Sequence, residues 1–277
     1  MTTSGAAGQY DGDWAERSDG DWAERTGSDW AGRYPPQFHV AVDYVVLTIR
    51  DDRLCVLLVR RAAAADATSY ALPGGFVGRD EELEDAAARE LVEETSITIA
   101  PPFSEQLRTY GAVGRDDRGR VVSVAYLAVT PDPGDPVSGT DAAGAEWVAV
   151  DRFLAGELRL EFDHDQILRD GLKRAGDKLE YTALATAFCA EEFTLPQLQR
   201  VYETIWGKRL NRRNFYRDVT DPRSFVEPVE GPGAHDRRRS HERGRPARLY
   251  RRRAGALPDG PATVLEYQPV RRTQRRR

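Results

Sequence analysis

The chain has 277 residues, enough for one large domain or two smaller ones, and a hydrophobic fraction of 40% that supports a real core. No apolar run approaches about 18 residues and no signal-peptide pattern opens the chain, so a soluble cytoplasmic protein with no membrane partner is expected. The net charge of −5 conceals an asymmetry: residues 1–180 carry 19 Lys and Arg against 34 Asp and Glu, whereas residues 181–277 carry 21 against 11. The basic half points to nucleic acid. Cys55 and Cys189 both sit in apolar runs and support neither a disulfide framework nor a zinc site.

Residues 1–36 contain an octad repeat, Asp13-Trp14-Ala15-Glu16-Arg17 with further copies around Trp22 and Trp30. A period of eight fits neither a heptad seam nor a solenoid, and each copy offers one large apolar residue, so a disordered tail is expected. A docking motif built on the three tryptophans is the alternative. The β-branched and aromatic run from Phe38 to Ile49 predicts a strand, Asp51-Asp52-Arg53 a turn, and Leu54–Val59 the second strand of a hairpin. Arg60 and Arg61 end that strand, facing either a ligand's phosphates or solvent.

The stretch from Gly75 to Ile97 carries the strongest signal. Residues from Asp80 to Thr95 are good helix formers with no interior Gly or Pro. Helical rotation places Glu90, Glu93 and Glu94 within an arc of roughly 100°, opposite Ala87, Ala88, Leu91 and Val92. Carboxylates gathered in this way suit a hard cation, Mg²⁺ or Mn²⁺, which neutralises phosphate charge and activates water. A solvated acidic helix is the plainer reading, but an apolar strand and Pro73-Gly74-Gly75 precede it. The positions Gly75, Glu81, Arg89, Glu90, Leu91, Glu93, Glu94 and Ile97 match the Nudix box, and the region resembles a Nudix hydrolase domain. That resemblance implies metal ligands at Gly75, Glu90, Glu93 and Glu94, and catalytic roles for Arg89, Glu93 and Glu94. Ser96 stands where the box has glycine, a position where φ > 0 is expected.

Beyond the box, Gln106–Gly111 reads as a short strand, residues 114–120 as a charged turn, Val121–Val129 as a buried strand and residues 131–145 as loop. Glu146–Val150 is a further strand, and a helix follows to Lys178 with Asp163 as its cap. His164, in its first turn, is either a catalytic candidate or a locally bonded side chain. The resemblance places Arg115 and Arg120, with Arg61, near a nucleotide; a solvated hairpin turn is the alternative. The alternation through residues 38–180 matches the α/β/α sandwich with a mixed sheet of Nudix domains.

Tyr181–Ala190 reads as a helix. Thr194 and Gln197 form a capping box, with Phe193 and Leu198 as the staple, for a helix ending at Trp206 and Gly207. A third helix opens at Asn211, which completes a helix-turn-helix. On it Arg212, Arg213, Tyr216 and Arg217 fall within about 140°, as four donors for a DNA major groove. Flanking strands near Ser224–Pro228 and Arg245–Tyr250 enclose Arg237, Arg238, Arg239 and Arg243, a basic wing; Arg243 and Arg245 join the expected DNA contacts. A Nudix domain followed by FTLPQLQRVYETIWGKRLNRRNF and GRPARLY resembles the NrtR family of regulators of NAD metabolism, over roughly residues 38–253.

The expected organisation is a disordered tail over 1–36, a Nudix domain over 37–180, a smaller winged helix-turn-helix domain over 181–253 and a basic tail over 254–277. The resemblance implies a homodimer that binds ADP-ribose or a related nucleotide and releases double-stranded operator DNA, and it leaves hydrolysis open. Asp218 stands where relatives more often carry a basic residue. The competing readings are an ordinary Nudix diphosphohydrolase with an accessory second domain, and, more weakly, an RNA-processing enzyme.

Overall fold

In the computed structural model the described residues are 38–61, 69–97, 103–137, 142–222, 224–231 and 247–254. The octad repeats, Arg237 to Arg239, Arg243, Arg245, the tail beyond Ala254 and the side chain of Arg61 lie outside them.

The apolar run after Phe38 forms β1 (His39–Arg50), the axis of an eight-stranded mixed sheet. Asp51 and Asp52, with φ of 49° and 61°, make the two-residue turn into β2 (Arg53–Arg61). Next come β3 (Ser69–Ala71), β4 (Gly74–Phe76), α1 (Leu83–Thr95), β5 (Phe103–Tyr110), β6 (Val121–Val129) and β7 (Ala142–Ala149). A short α2 (Val150–Leu154), β8 (Arg159–Leu160) and α3 (His164–Lys178) complete this part. β1 runs parallel to β6 from the His39–Val121 pair to the Leu47–Val129 pair. On its other side it pairs with β2 near the turn and with β4 near its start, Ala41 against Phe76 and Asp43 against Gly74. Because β1 changes partner along its length, β2 and β4 part beside it and a cleft opens there.

Alternation along β1 buries both faces. Val42, Tyr44 and Val46 pack with Ala86, Ala87 and Leu91 of α1. Val45 and Leu47 face the other way, onto Ile167, Leu168 and Ala175 of α3. This is the expected sandwich, with one helix on each side of a mixed sheet.

The second apolar cluster continues without a break into the C-terminal part. There β9 (Glu192–Thr194), α4 (Leu195–Trp206), α5 (Arg212–Val219), β10 (Val226–Pro228) and β11 (Leu249–Arg252) form a helix pair beside a three-stranded sheet of order β10-β11-β9. The capping box is present: Thr194 accepts from the Gln197 amide, and Gln197 accepts from the Thr194 amide at 2.7 Å. Gly207, with φ 60°, ends α4.

Several expected elements differ. Tyr181–Ala190 holds only a 3₁₀ turn over Leu184–Phe188, because the Thr182 hydroxyl accepts from the Leu184 amide at 3.1 Å and competes with helical pairing. Asp163 precedes α3 without a side-chain cap, since its carboxylate is held by Arg115. α1 starts at Leu83 rather than Asp80, because Glu81 accepts from the Gly78 amide at 2.9 Å and holds the chain in a turn. Gly74-Gly75 is strand, not turn; β7 covers a stretch read partly as loop and partly as a shorter strand, α2 forms where no element was expected, and β9 leads into the Thr194 cap.

Candidate functional site

The box closes around one arginine. Arg89 binds Glu81 through Nε at 2.7 Å and Nη2 at 3.0 Å. Its Nη1 reaches Glu90 at 2.8 Å and Glu93 at 3.0 Å, and Nη2 also donates to the Phe76 carbonyl at 3.2 Å. The Arg89 guanidinium, then the Gly78 amide, hold the Glu81 carboxyl down at about 2. Glu94 points elsewhere and accepts from the Gly74 amide at 3.0 Å. Ser96 takes the left-handed backbone expected of the missing glycine, φ 53° and ψ 14°, at a cost of about 1 kcal/mol.

In this structure the three carboxylates of the box make different contacts. Among the described residues no three His, Cys, Asp or Glu side chains lie at metal-holding spacing. Helical rotation brings Glu90 and Glu93 to one face, but Arg89 is the cation between them and Glu94 is drawn to β4. The donor chemistry nevertheless fits a hard divalent ion. Gly75 is shaped for the purpose: a Cβ there would lie 2.3 Å from Glu90 Oε1, so only glycine lets the carboxylate approach the strand.

Glu94, Gly74, Gly75 and Phe76 form one wall of the cleft that opens where β2 and β4 part beside β1. Its floor is a buried charged network that the sequence reading missed. Asp43 on β1 faces His164 Nε2 at 3.2 Å and Arg115 Nη2 at 3.5 Å, and it also takes the Ser123 hydroxyl. Burial pushes the Asp43 carboxyl up, but His164 first, then Ser123 and Arg115, bring it below its ordinary value. The signal was present in the sequence as a single carboxylate inside the apolar run VAVDYVVL. His164 Nδ1 accepts the Leu72 amide at 3.0 Å, so both ring nitrogens are engaged within the protein and the histidine positions the floor.

The arginines expected at a nucleotide are dispersed. Arg115 lines the cleft, but its side chain is only 4% exposed and grips Asp163 at 3.0 and 2.6 Å. Arg120 donates to the Ala112 carbonyl at 3.2 Å. Arg60 turns to Glu146 and lies 5.3 Å from the Tyr70 ring, away from the cleft. Arg118, not singled out from the sequence, reaches the mouth: its guanidinium lies 5.0 Å from each of the Phe76 and Phe162 rings and pairs with the buried Asp116.

In the C-terminal part, Asn211 caps α5 by accepting the Asn214 amide at 3.0 Å. Glu203 fixes the turn, accepting from the Leu210 amide at 2.6 Å and from Arg209 at 3.2 Å. Phe215 and Val219 are buried, which leaves Arg212, Arg213 and Arg217 exposed. The face is less uniform than expected. Arg217 pairs with Asp218 at 2.9 Å, and Arg212 stacks 5.1 Å from the Tyr216 ring. The Tyr216 hydroxyl is buried without a hydrogen-bond partner, because its ring packs on the core, so it is not an exposed donor.

The family model of the NUDIX domain matches residues 37–171, and that of the NrtR DNA-binding winged helix domain matches residues 186–252. Over 214 residues the chain is 33% identical to the ADPR responsive transcriptional repressor NtrR of Acinetobacter baylyi, covering 76% of this chain and 81% of that one. The chain belongs to the NrtR family. The crystal structure of Shewanella oneidensis NrtR complexed with a 27mer DNA matches with a TM-score of 0.64 and 33% identity, over 77% of this chain and 93% of that one. The Nudix part alone is 31% identical over 141 residues to the ADP-ribose pyrophosphatase of Methanocaldococcus jannaschii, covering 51% of this chain and 78% of the relative. In this NrtR-family chain, therefore, α4 and α5 are the helix-turn-helix of a DNA-binding winged helix, and the cleft belongs to a Nudix domain. No helix among the described residues is long and apolar enough to cross a membrane.

Proposed function

We propose that this protein is a DNA-binding regulator that senses an ADP-ribose-type nucleotide in the Nudix cleft and retains metal-dependent hydrolysis of it. One observation supports the reading above others: an internally braced box, intact except for Ser96, and an exposed arginine face on α5 coexist in one continuous fold. A relative described as ADPR responsive and another described as an ADP-ribose pyrophosphatase support the ligand class.

Glu90, Glu93 and Glu94, with the Gly75 backbone, would hold Mg²⁺ or Mn²⁺, which supplies neutralisation of diphosphate charge and a more acidic water. Arg89 orients Glu90 and Glu93 for that task and keeps Glu81 out of it. At the DNA end, Arg213 has no hydrogen bond or ion pair among the described residues, so its donors are available to a base edge. Arg212 and Arg217 are exposed beside it. A single winged helix reads a short site, so a homodimer on two half-sites is the expected assembly.

Binding of the gene's own upstream DNA, followed by fluorescence anisotropy with and without ADP-ribose, tests this reading, beside a turnover assay with Mg²⁺. Operator release by ADP-ribose supports the regulator. Turnover without any DNA binding would leave an ordinary diphosphohydrolase whose second domain is accessory, a reading favoured only by the pairing of Arg217 with Asp218.

A further inference from the structure

Two rods of the Nudix fold start at the cleft and end on the same helix. The first is α3. Its first residue, His164, lies on the cleft floor, bound to Asp43 and the Leu72 amide. Fifteen residues at 1.5 Å each carry α3 about 22 Å away from the cleft. Near its far end the Gly176 carbonyl accepts the indole N–H of Trp206, the last residue of α4, at 3.1 Å. The second rod is β1. Ala41 and Asp43 line the cleft. Its far end is the Asp51-Asp52 turn, where Asp52 pairs with Arg200 of α4 at 3.0 Å and its carbonyl faces the Thr204 hydroxyl at 3.5 Å. The rods touch along their length: a Cβ on Gly171 of α3 would meet Val45 Cγ1 at 2.9 Å, so helix and strand are in close backbone approach.

We propose that the Trp206–Gly176 hydrogen bond and the Asp52–Arg200 pair are the two contacts through which the nucleotide cleft sets the position of the recognition helix. The inference rests on the regulatory reading above. Coupling between distant sites needs an element with two arrangements that both sites bias. Helix α4 has the character of such an element. Its inner face, Leu195, Leu198, Val201 and Tyr202, is buried in the shared core, and its polar contacts to the Nudix part are at Arg200, Thr204 and Trp206. A cleft of about 190 Å³, lined by Ile49, Phe188, Phe193 and Val201, adjoins its first half, so packing toward β1 is incomplete there and leaves α4 room for a small tilt. Tilting carries the recognition helix with it, because Glu203 of α4 holds the Leu210 amide in the turn that leads to α5. A nucleotide that displaces Asp43, His164 or Arg115 shifts the near ends of both rods, and the two contacts pass that shift to one helix.

The test measures a coupling factor, the ratio of operator Kd with and without ADP-ribose, on the full chain. Trp206 lies 4.9 Å from the Tyr202 ring, and Trp206→Phe keeps an aromatic ring there while removing the N–H together with part of the buried indole volume. Asp52→Asn removes the charge but keeps a side chain that tolerates a φ of 61°. Arg200→Ala breaks the same pair from the exposed side of α4. Wild type should show a factor of about 5–150, the usual span for allosteric coupling. Asp52→Asn and Arg200→Ala should each lower it by about threefold, the scale of an exposed ion pair. Trp206→Phe should lower it by about fivefold, the scale of one hydrogen bond. The Asp52→Asn/Trp206→Phe double variant should lower the factor by about fifteenfold, or to one where the wild-type factor is smaller than that, while binding each ligand alone with near wild-type affinity. Wild-type coupling in the double variant, or in Asp52→Asn and Arg200→Ala if Trp206→Phe fails to fold, overturns this inference alone. No coupling in the wild type would overturn the regulatory reading itself, and this inference with it.

Discussion

Replacing Arg115 by alanine separates two roles for the same residue. In the sequence it is one of several arginines on a charged turn, a natural partner for phosphate. In the fold its side chain is 4% exposed, grips Asp163 through two hydrogen bonds and lies 3.5 Å from Asp43. Asp43 is itself 7% exposed at its side chain, so Arg115→Ala leaves a buried carboxylate short of a partner and unties Asp163 at the start of α3. Breaking one side of a buried ion pair costs about 3–5 kcal/mol. For a fold of this size, about 2–4 °C per kcal/mol gives a fall in Tm of roughly 6–20 °C. Thermal unfolding followed by circular dichroism at pH 7, without nucleotide, reads this directly. A Tm within about 2 °C of wild type, together with lost ADP-ribose binding, would refute the structural role and return Arg115 to the ligand.

Other substitutions probe the remaining parts. Gly75→Ala should lower Mg²⁺-dependent turnover by about a hundredfold without unfolding the chain, since its Cβ would displace Glu90 from β4. Asp43→Asn tests linkage: the folded carboxyl lies below its unfolded value, so its stabilisation is full above pH about 4 and is lost as pH falls through the folded pKa. Urea unfolding should accordingly find the variant weaker than wild type at pH 7 and the gap narrowing as pH falls below about 4. Tyr216→Phe should leave operator affinity unchanged and stability equal or slightly higher, because the hydroxyl it removes is buried and unbonded. Arg213→Ala should cost about 1–3 kcal/mol of specific DNA binding in the same anisotropy assay.

What the sequence conveyed depended on whether the deciding interaction is local. The capping box at Thr194 and Gln197, the helix start at Asn211, the Gly207 stop and the β-branched and aromatic run of β1 all act within a few residues, and each is present in the fold. Rotation about a helix also placed Glu90 and Glu93 together, but it could not say what would stand between them. The Arg89 guanidinium, on the same helix, fills that space. Long-range partners were out of reach. Asp43 meets His164 and Arg115 across 121 and 72 residues of chain, and nothing in any of the three segments names the others. Tyr216 shares an arc with three arginines, yet its ring is drawn into a core shared with Phe215. Thr182 shows a local bond overriding a helix-like composition, which propensity alone does not weigh.

If the cleft and the recognition helix are thermodynamically linked as proposed, the linkage is reciprocal. Calorimetric titration of ADP-ribose into the full chain, alone and then saturated with operator DNA, measures it at its source. Operator should weaken nucleotide binding by the same factor, about 5–150, by which nucleotide weakens operator binding. Identical ADP-ribose affinity in the two titrations would contradict it.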